Sequence, residues 1–309
     1  AETVKVTNEI AEVTARALDT AMTQPSGPTY VDYPLDVVFM EGEADPPGDT
    51  VEPAAAAAGT DEAASMLAAA ERPVIMAGTG VYWARAEQEL VRLAEALGIP
   101  VFLNGMGRGC VPADHELCFS RARGKGLKEA DVALVIGVPL DFRLGFGGSF
   151  GEETKLIWLD EAPNELTANR KPDLELVGGI AATLAAIADG EGGGRERTRA
   201  WVDALRETEN EKRAGERDEL NDDRAPLHPL RIYKELAEVL DRNAIVIGDG
   251  GDFVSYAGRV VETYEAGCWM DPGPFGCLGA GPGQAIGAKI AHPDRQVVCL
   301  LGDGAFGFS

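Results

Sequence analysis

Residues 73–103 have the sequence PVIMAGTGVYWARAEQELVRLAEALGIPVFL, and this stretch decides the fold class. The five residues Pro73–Ala77 lead into a Gly-Thr-Gly turn, and a helical apolar pattern over Ala84–Leu97 then closes at Gly98. A second apolar run, Pro100–Leu103, follows at once. Short, almost wholly apolar strands that alternate with amphipathic helices are typical of a parallel sheet covered on both faces.

The same alternation extends through residues 61–190, for which we predict a doubly wound α/β sheet. Its further predicted helices are Asp61–Glu71 and Ile180–Ala188, and a third helix is predicted to end at Leu127–Ala130. Its further predicted strands are Val132–Gly137 and Lys155–Leu159. We expect residues 191–226 to form a charged, solvated linker helix, at about Arg195–Leu220. Residues 227–309 begin a second α/β unit. Its predicted helices are His228–Leu240 and Gly279–Ala291, and its predicted strands are Ala244–Gly248 and Gln296–Leu301.

The front of the chain is shorter and less regular. A helical pattern covers Thr7–Met22, a short strand is predicted over Thr29–Tyr33, and residues 41–60 are predicted to be a linker. One helix and one strand cannot bury their own apolar faces, so residues 1–40 are expected to be the end of a larger domain.

Composition excludes several functions. The 309 residues carry 28 basic and 51 acidic side chains, a formal charge of −23, and 45% are hydrophobic. So acidic a chain is not expected to bind nucleic acid or an anionic membrane, and no apolar run approaches the roughly 20 residues of a membrane span. The five cysteines form no C-x-x-C pair, which indicates reduced thiols in a cytoplasmic protein. The three histidines are isolated, so no zinc site is expected.

Two glycine motifs can be set aside. Gly147–Gly151 fits the G-x-S-x-G pattern of serine hydrolases, but that pattern needs a strand before it, and here a predicted strand follows. Gly78–Gly80 lacks the third glycine of the dinucleotide fingerprint, so it is best interpreted as a tight turn from a strand into a helix.

Two Gly-Asp-Gly sequences are more informative. The segments Gly248–Phe253 and Gly302–Phe306 each follow an apolar strand, and ligands bind at the carboxyl ends of parallel strands. Glycines let a backbone approach a diphosphate, and an aspartate at such a turn is an oxygen ligand suited to Mg²⁺. We therefore expect residues 250–253 and 302–305 to face one cavity, the alternative being two ordinary turns. A glycine-rich stretch, 273–288, lies between them.

In combination these motifs resemble the thiamine diphosphate (ThDP) enzymes of the acetolactate synthase superfamily. The resemblance implies that residues 1–40 end a pyrimidine-binding domain. It also makes 61–190 a Rossmann-like central domain of the kind that binds FAD or ADP, and 227–309 the first part of a diphosphate-binding domain. The asparagine that closes the family's ThDP motif would lie beyond Ser309. We therefore expect a fragment that lacks both ends and is inactive by itself.

The family pattern assigns roles to residues of this chain. Asp303 is expected to bind the metal, and Gly276 to accept a hydrogen bond from the cofactor's 4′-amino group. Leu278 would be the apolar wedge that bends the cofactor. The other expected cofactor contacts are Gly251, Asp252, Phe253, Cys277, Gly302, Gly304 and Ala305. No catalytic residue is assigned, because the activating glutamate would belong to a partner subunit, and Glu9 and Glu12 do not match it.

The activity implied is ThDP- and Mg²⁺-dependent decarboxylation of a 2-oxo acid such as pyruvate, with transfer of the acyl unit to a second 2-oxo acid. Such enzymes act in branched-chain amino acid biosynthesis, as cytoplasmic homodimers or tetramers with active sites at the subunit interface. The protein would supply orientation and electrostatics to the cofactor.

Two alternatives stay open. Asp141–Arg143 resembles the acetolactate synthase segment whose arginine lies near FAD, whereas Asn169–Pro172 and Ala305–Ser309 resemble 2-hydroxyacyl-CoA lyase and oxalyl-CoA decarboxylase. Gly179-Ile180 lacks an acidic FAD contact, so FAD, ADP or neither could occupy the central domain. An acyl-CoA would need basic residues, which the stretch Arg121, Arg123, Lys125 and Lys128 offers. The second alternative is a non-catalytic nucleotide-binding module that uses Gly78–Gly80 and the 131–143 loop.

Overall fold

The computed structural model describes residues 1–23, 26–43, 54–163, 169–190 and 194–309, which fall into two units, Ala1–Ala54 and Ala55–Ser309. The elements of the smaller unit are β1 (Glu2–Thr3), α1 (Ile10–Met22), β2 (Val31–Asp32) and α2 (Leu35–Val38). The two strands pair in parallel, and Val4, Val13 and Val37 form the core of this unit. The strand predicted over Thr29–Tyr33 is therefore only two residues long. Residues 44–53 of the predicted linker lie outside the described residues.

A parallel sheet forms the centre of the larger unit, with six strands among its described residues. They are β3 (Pro73–Ala77), β4 (Val101–Leu103), β5 (Cys118–Phe119), β6 (Val132–Ile136), β7 (Lys155–Asp160) and β8 (Leu174–Val177). Their order is β5-β4-β3-β6-β7-β8, so the chain winds outward from β3 on one side and from β6 on the other. The predicted doubly wound α/β sheet is confirmed.

Helices cover both faces of this sheet. They are α3 (Thr60–Ala69), α4 (Thr79–Trp83), α5 (Glu87–Leu97), α6 (Arg123–Glu129), α7 (Ile180–Ala188) and α8 (Gly194–Gly215). The short helix α9 (Arg217–Leu220) follows α8 and buries none of its residues. Along β3, Ile75 belongs to one core together with residues of α5 and α7, while Val74 and Met76 belong to a second core. Because both faces are buried, the central strands β3 and β6 are apolar at every position, which is the pattern seen in the sequence.

Helix α8 corrects the prediction of a solvated linker. Its Trp201 and Leu205 are buried in the second core, and the Trp201 indole donates a hydrogen bond to the carbonyl of Pro73 at 3.2 Å. The Thr198 hydroxyl donates to the carbonyl of Gly98 at 2.8 Å. Trp201 and Leu205 are four residues apart and therefore lie on one face of the helix. This spacing is hard to recognise in the sequence because most of the surrounding residues are charged. The helix therefore covers the sheet.

A smaller parallel sheet follows, with three strands in the described range 227–309. Its elements are α10 (Pro229–Val239), β9 (Ile245–Asp249), α11 (Gly251–Val260), β10 (Trp269–Met270), α12 (Gly281–Ala291), β11 (Val297–Leu301) and α13 (Asp303–Phe306). Strand β9 lies in the middle, between β10 and β11, and Leu301 pairs with Asp249. Strands β9 and β11 therefore end at the same edge. No described helix is both long enough and apolar enough to cross a bilayer.

The turns after β3 and β6 meet backbone to backbone where the strand order reverses. Gly137 has a φ of +57°, and a Cβ added at Gly80 would lie 2.5 Å from the Cα of Gly137. A side chain at either position would separate the two turns. The Gly78–Gly80 segment is a turn from a strand into a helix, as predicted, and it also makes a close packing contact.

We expect Gly137→Ala to lower the free energy of unfolding by about 3 kcal/mol, because it combines a left-handed backbone with an overlap. Gly124→Ala is the matched control, since Gly124 lies in α6 with nothing within 4 Å of an added Cβ. The control should be neutral or gain up to about 1 kcal/mol from helix propensity. Thermal and urea unfolding of the two variants would measure this, and equal stabilities would contradict the packing argument.

Candidate functional site

Two strand ends lie side by side at the edge of the smaller sheet. Strand β9 ends at Asp249 and α11 begins at Gly251, while β11 ends at Leu301 and α13 begins at Asp303. A single glycine forms each turn. The segments 250–253 and 302–305, expected to be loops, are therefore the starts of two helices on neighbouring strands. Backbone N–H groups at a helix start are suited to an anion.

The glycines at this edge face open space. A Cβ added at Gly251, Gly276, Gly302 or Gly304 would meet no heavy atom within 4 Å. Gly251 and Gly276 also have φ values of +72° and +61°, which side chains disfavour. A ligand can therefore approach the backbone directly at these positions. The space and the donor groups fit a diphosphate.

The aspartates of the two Gly-Asp-Gly motifs have different roles. Asp303 is exposed, and its Oδ1 accepts a hydrogen bond from the amide of Gly304 at 2.9 Å. Asp249 is 1% exposed, and its carboxylate accepts hydrogen bonds from the amides of Gly279 at 3.0 Å and Gly281 at 2.8 Å. Asp303 is accessible to a metal, whereas Asp249 is committed to the backbone.

Leu278, the expected wedge, lies over the first of these turns. A Cβ at Gly250 would overlap the Cδ2 atom of Leu278, so the two residues are in direct contact. Leu278 is nevertheless 47% exposed, and the neighbouring Cys277 is exposed as well. The backbone of Asp252 and Phe253 opens α11, but their side chains lie outside what the structure describes.

A cavity of about 910 Å³ lies between the carboxyl edge of the six-stranded sheet and the segment 250–276. The ends of β4 and of the 142–143 turn form one wall, and residues of α8 and α11 form others. Its lining, as far as the structure describes it, contains three acidic residues and seven basic ones. The basic residues are Arg108, Arg121, Arg123, Arg143, Lys212, Arg213 and Arg259. In a chain with a formal charge of −23, this is a local concentration of positive charge.

Three of the seven have no carboxylate oxygen within 4 Å among the described residues: Arg108, Arg123 and Lys212. Arg108 donates to the carbonyl of Gly258, and its guanidinium lies 4.4 Å from the centre of the Trp269 ring. Burial lowers the pKa of Arg108 to about 10. Burial, and then the charge of Arg143, lower the pKa of Arg123 as well. Arg108 and Arg123 are half-buried and Lys212 is exposed, and cations that lack counter-ions favour an anionic ligand.

Asn104 adds a neutral donor to the cavity. It follows β4 at the carboxyl edge, and its Nδ2 atom is buried without a hydrogen-bond partner in the part of the chain that the structure describes. A buried N–H group that lacks an acceptor costs free energy, which a ligand oxygen would recover.

Glu209 of α8 holds one wall of the cavity in place. Its carboxylate, 1% exposed, accepts hydrogen bonds from the amides of Ser120 at 3.1 Å and Ala122 at 2.8 Å, and an ion pair links it to Arg213. Burial by itself raises the pKa of Glu209, but these hydrogen bonds and the charge of Arg213 hold it below its usual value. The segment that carries Arg121 and Arg123 is thereby fixed to α8.

Some residues singled out in the sequence have structural partners instead. Arg170 donates to the carbonyl of Gly151 at 2.6 Å, and the Asn169 amide to that of Leu140 at 2.7 Å. The Asn169–Pro172 segment therefore closes turns, and neither side chain lines the cavity. Lys125 donates to Thr208 at 3.3 Å. Of the basic residues singled out in the sequence, three line the cavity: Arg121, Arg123 and Arg143.

The cavity also contains residues that the sequence did not single out, notably Lys212 and Asn104. Lys212 lies in the helix that was expected to be solvated, so nothing marked it as a wall of a site. In Gly147–Gly151, the residues before the serine belong to a 3₁₀ turn, Phe142–Gly147, and not to a strand. The hydrolase interpretation thus lacks its structural context.

Comparison with known proteins places these features in a family. Residues 60–187 match the thiamine pyrophosphate enzyme central domain, and residues 249–309 match the C-terminal TPP binding domain of the same enzymes. TPP is the same compound as ThDP.

Two mycobacterial proteins are each 52% identical over 299 residues, which is 95% of this chain and 54% of theirs. They are a probable acetolactate synthase of Mycobacterium bovis and the acetolactate synthase large subunit IlvG of Mycobacterium tuberculosis. A 2-hydroxyacyl-CoA lyase 2 of Caenorhabditis elegans is 35% identical over 256 residues, 80% of this chain and 40% of its own. The chain spans about half the length of the curated relatives it matches.

We expect Glu209→Gln to lower the free energy of unfolding by about 2 kcal/mol at pH 7, because in either orientation its NH₂ group faces a donor, the Arg213 guanidinium on one side or the backbone amides of Ser120 and Ala122 on the other, and the ion pair is lost. Since folding holds the pKa of Glu209 below its ordinary value of 4.5, its stabilisation is present above that pH and lost as the pH falls further. The difference in the free energy of unfolding between the wild type and Glu209→Gln should therefore become smaller at acidic pH.

Thermal unfolding between pH 7 and pH 3 would measure this gap. Glu207→Gln is the matched control, because Glu207 is exposed on the same helix. A loss of stability in Glu209→Gln that is the same at every pH, or shared by the control, would contradict the assignment.

Proposed function

Because the chain belongs to the thiamine pyrophosphate enzymes, we propose that it contributes the diphosphate half of a ThDP site to an acetolactate synthase-like enzyme. The observation that carries this proposal is the exposed Asp303 beside open glycine backbone, at the end of a strand that pairs with the strand leading to Gly251. The 52% identity to proteins named acetolactate synthase supports the substrate class, a pair of 2-oxo acids such as pyruvate.

The residues present fit the cofactor. Asp303 would hold Mg²⁺, and the backbone at two helix starts would hold the diphosphate: Gly251, Asp252, Phe253, Gly302, Gly304 and Ala305. The Gly276 carbonyl would accept a hydrogen bond from the aminopyrimidine, and Cys277 and Leu278 would contact the rings. When bound, ThDP supplies a nucleophilic carbon that adds to the carbonyl of a 2-oxo acid. The protein's share is to orient the cofactor and to exclude water.

The whole protein is proposed to be a homodimer or tetramer. In this arrangement the glutamate that activates the aminopyrimidine comes from the partner subunit, so the active site lies at the subunit interface. A cytoplasmic location is also proposed, and five free thiols are in keeping with it.

We further propose that the 910 Å³ cavity takes a nucleotide with a diphosphate, either FAD or ADP. Arg108, Arg123 and Lys212 lack carboxylate partners among the described residues, and phosphate oxygens would pair with them. Asn104 would donate to a ligand oxygen. Arg143, which Asp141 holds at 2.9 Å, would face the same ligand.

A 2-hydroxyacyl-CoA lyase is the second candidate. The same cations would suit the phosphates of coenzyme A, and relatives of that name reach 35% identity. The two activities are separated by assaying the full-length protein with pyruvate and with a 2-hydroxyacyl-CoA. Acetolactate formation supports the first candidate, and cleavage of the thioester substrate to an aldehyde supports the second.

Asp303→Asn in the full-length protein should weaken Mg²⁺-dependent ThDP binding by about tenfold or more, because the metal loses a charged oxygen ligand. Calorimetric titration with ThDP at saturating Mg²⁺ would measure the change. Asp294→Asn is the control, since Asp294 is exposed in the turn before β11. Wild-type affinity in Asp303→Asn would exclude Asp303 as the metal ligand.

Arg123→Gln should weaken binding of the cavity's nucleotide by about tenfold, the cost of one charge-assisted hydrogen bond. The melting temperature of each protein would be measured with FAD, ADP and coenzyme A added separately. The compound that raises the melting temperature of the wild type is the ligand, and a smaller rise in Arg123→Gln would show the weakened binding. Arg199→Gln, an exposed position on α8, should behave like the wild type. Stabilisation by coenzyme A but not by FAD would favour the lyase.

A further inference from the structure

Asp249 is the buried carboxylate of the first Gly-Asp-Gly motif, and no role has been given to it so far. We propose that Asp249 is a positioning residue that holds residues 276–281, here called the wedge segment, in the conformation that receives the rings of ThDP. This inference rests on the proposed function, because it concerns the same cofactor site.

Among the described residues, the hydrogen bonds that the Asp249 carboxylate accepts come from the wedge segment. Oδ1 accepts from the amide of Gly279 at 3.0 Å, and Oδ2 accepts from the amides of Gly279 at 3.1 Å and Gly281 at 2.8 Å. No basic side chain lies within 4 Å of the carboxylate in the described part of the chain. Gly281 is the first residue of α12, so the positive end of that helix stabilises the buried charge.

Packing reinforces the hydrogen bonds. A Cβ at Gly281 would lie 2.7 Å from the Cβ of Asp249 and 2.8 Å from its Oδ2, so only glycine lets the carboxylate approach so closely. On the other side of Asp249, Gly250 receives the side chain of Leu278. The end of β9 therefore contacts the wedge segment at three places.

This geometry separates Asp249 from metal binding. Both of its oxygens are engaged by backbone donors and the residue is 1% exposed, whereas Asp303 at the neighbouring strand end is exposed. The Asp249 carboxylate therefore acts on the cofactor through the wedge segment, which carries the Gly276 carbonyl and Leu278. Its loss should affect the part of the site that contacts the rings more than the part that contacts the diphosphate.

The test compares two ligands on the full-length protein freed of cofactor. Calorimetric titration at saturating Mg²⁺ with ThDP and with inorganic pyrophosphate, which lacks the rings, gives two dissociation constants for each variant. In Asp249→Asn the oxygen can keep both amide donors only by setting the new Nδ2 group against the N–H of Gly279, and the negative charge at the start of α12 is lost in either orientation. The constant for ThDP should rise about tenfold, while that for pyrophosphate should change by less than about threefold.

The wild type and Asp294→Asn provide the reference values. If Asp249→Asn is not recovered as a folded protein, the same ratio is measured on Gly281→Ala, whose Cβ displaces the carboxylate while leaving its charge. A selective loss of ThDP affinity supports the inference. Equal losses for both ligands, or no loss for either, overturn it. A wild type that binds pyrophosphate but not ThDP overturns the proposed function itself.

Discussion

The parallel pairing of β9 with β11 is the constraint on which the site depends. The register sets Leu301 opposite Asp249, so the two strands end level and both following turns open at one edge. Each turn is a single glycine, which places a helix start directly after each strand. If the register shifted by one residue, the side chains of β11 would move to the opposite face of the sheet, and the turn that carries Asp303 would no longer lie level with the turn that carries Gly251. The site is therefore fixed by the core of the sheet.

Acidic side chains serve the interior as well as the surface. Asp249 and Glu209 each bind backbone amides of a segment distant in sequence, and Asp131 does the same for the amides of Glu71 and Arg72. In each case a carboxylate fixes a segment that lies between two elements or at the start of a helix. Part of the large negative charge is thus structural.

The sequence predicted the sheet well because strands buried on both faces leave a continuous apolar signal. Pro73–Ala77 has the predicted bounds, and Lys155–Asp160 differs by one residue. Strands of two residues, such as Trp269–Met270, leave no such signal.

The site was predicted only in part. The glycine turns and Asp303 could be located because they follow apolar strands, and their proximity follows from parallel topology. Lys212 and Asn104 join the cavity through contacts between segments more than 100 residues apart, which no local pattern records. The buried side of α8 was missed because charged residues outnumber the apolar ones that anchor it.

The thiols of the chain differ sharply in accessibility, and this has a practical consequence. Burial raises the pKa of Cys110 and of Cys118 to about 12, so neither forms thiolate readily at neutral pH. Cys277 is exposed and adjoins Leu278. A maleimide fluorophore would therefore attach selectively at Cys277, and its emission would report on the surroundings of the wedge segment. The molecule thus carries its own labelling point beside the site, with no cysteine to be introduced.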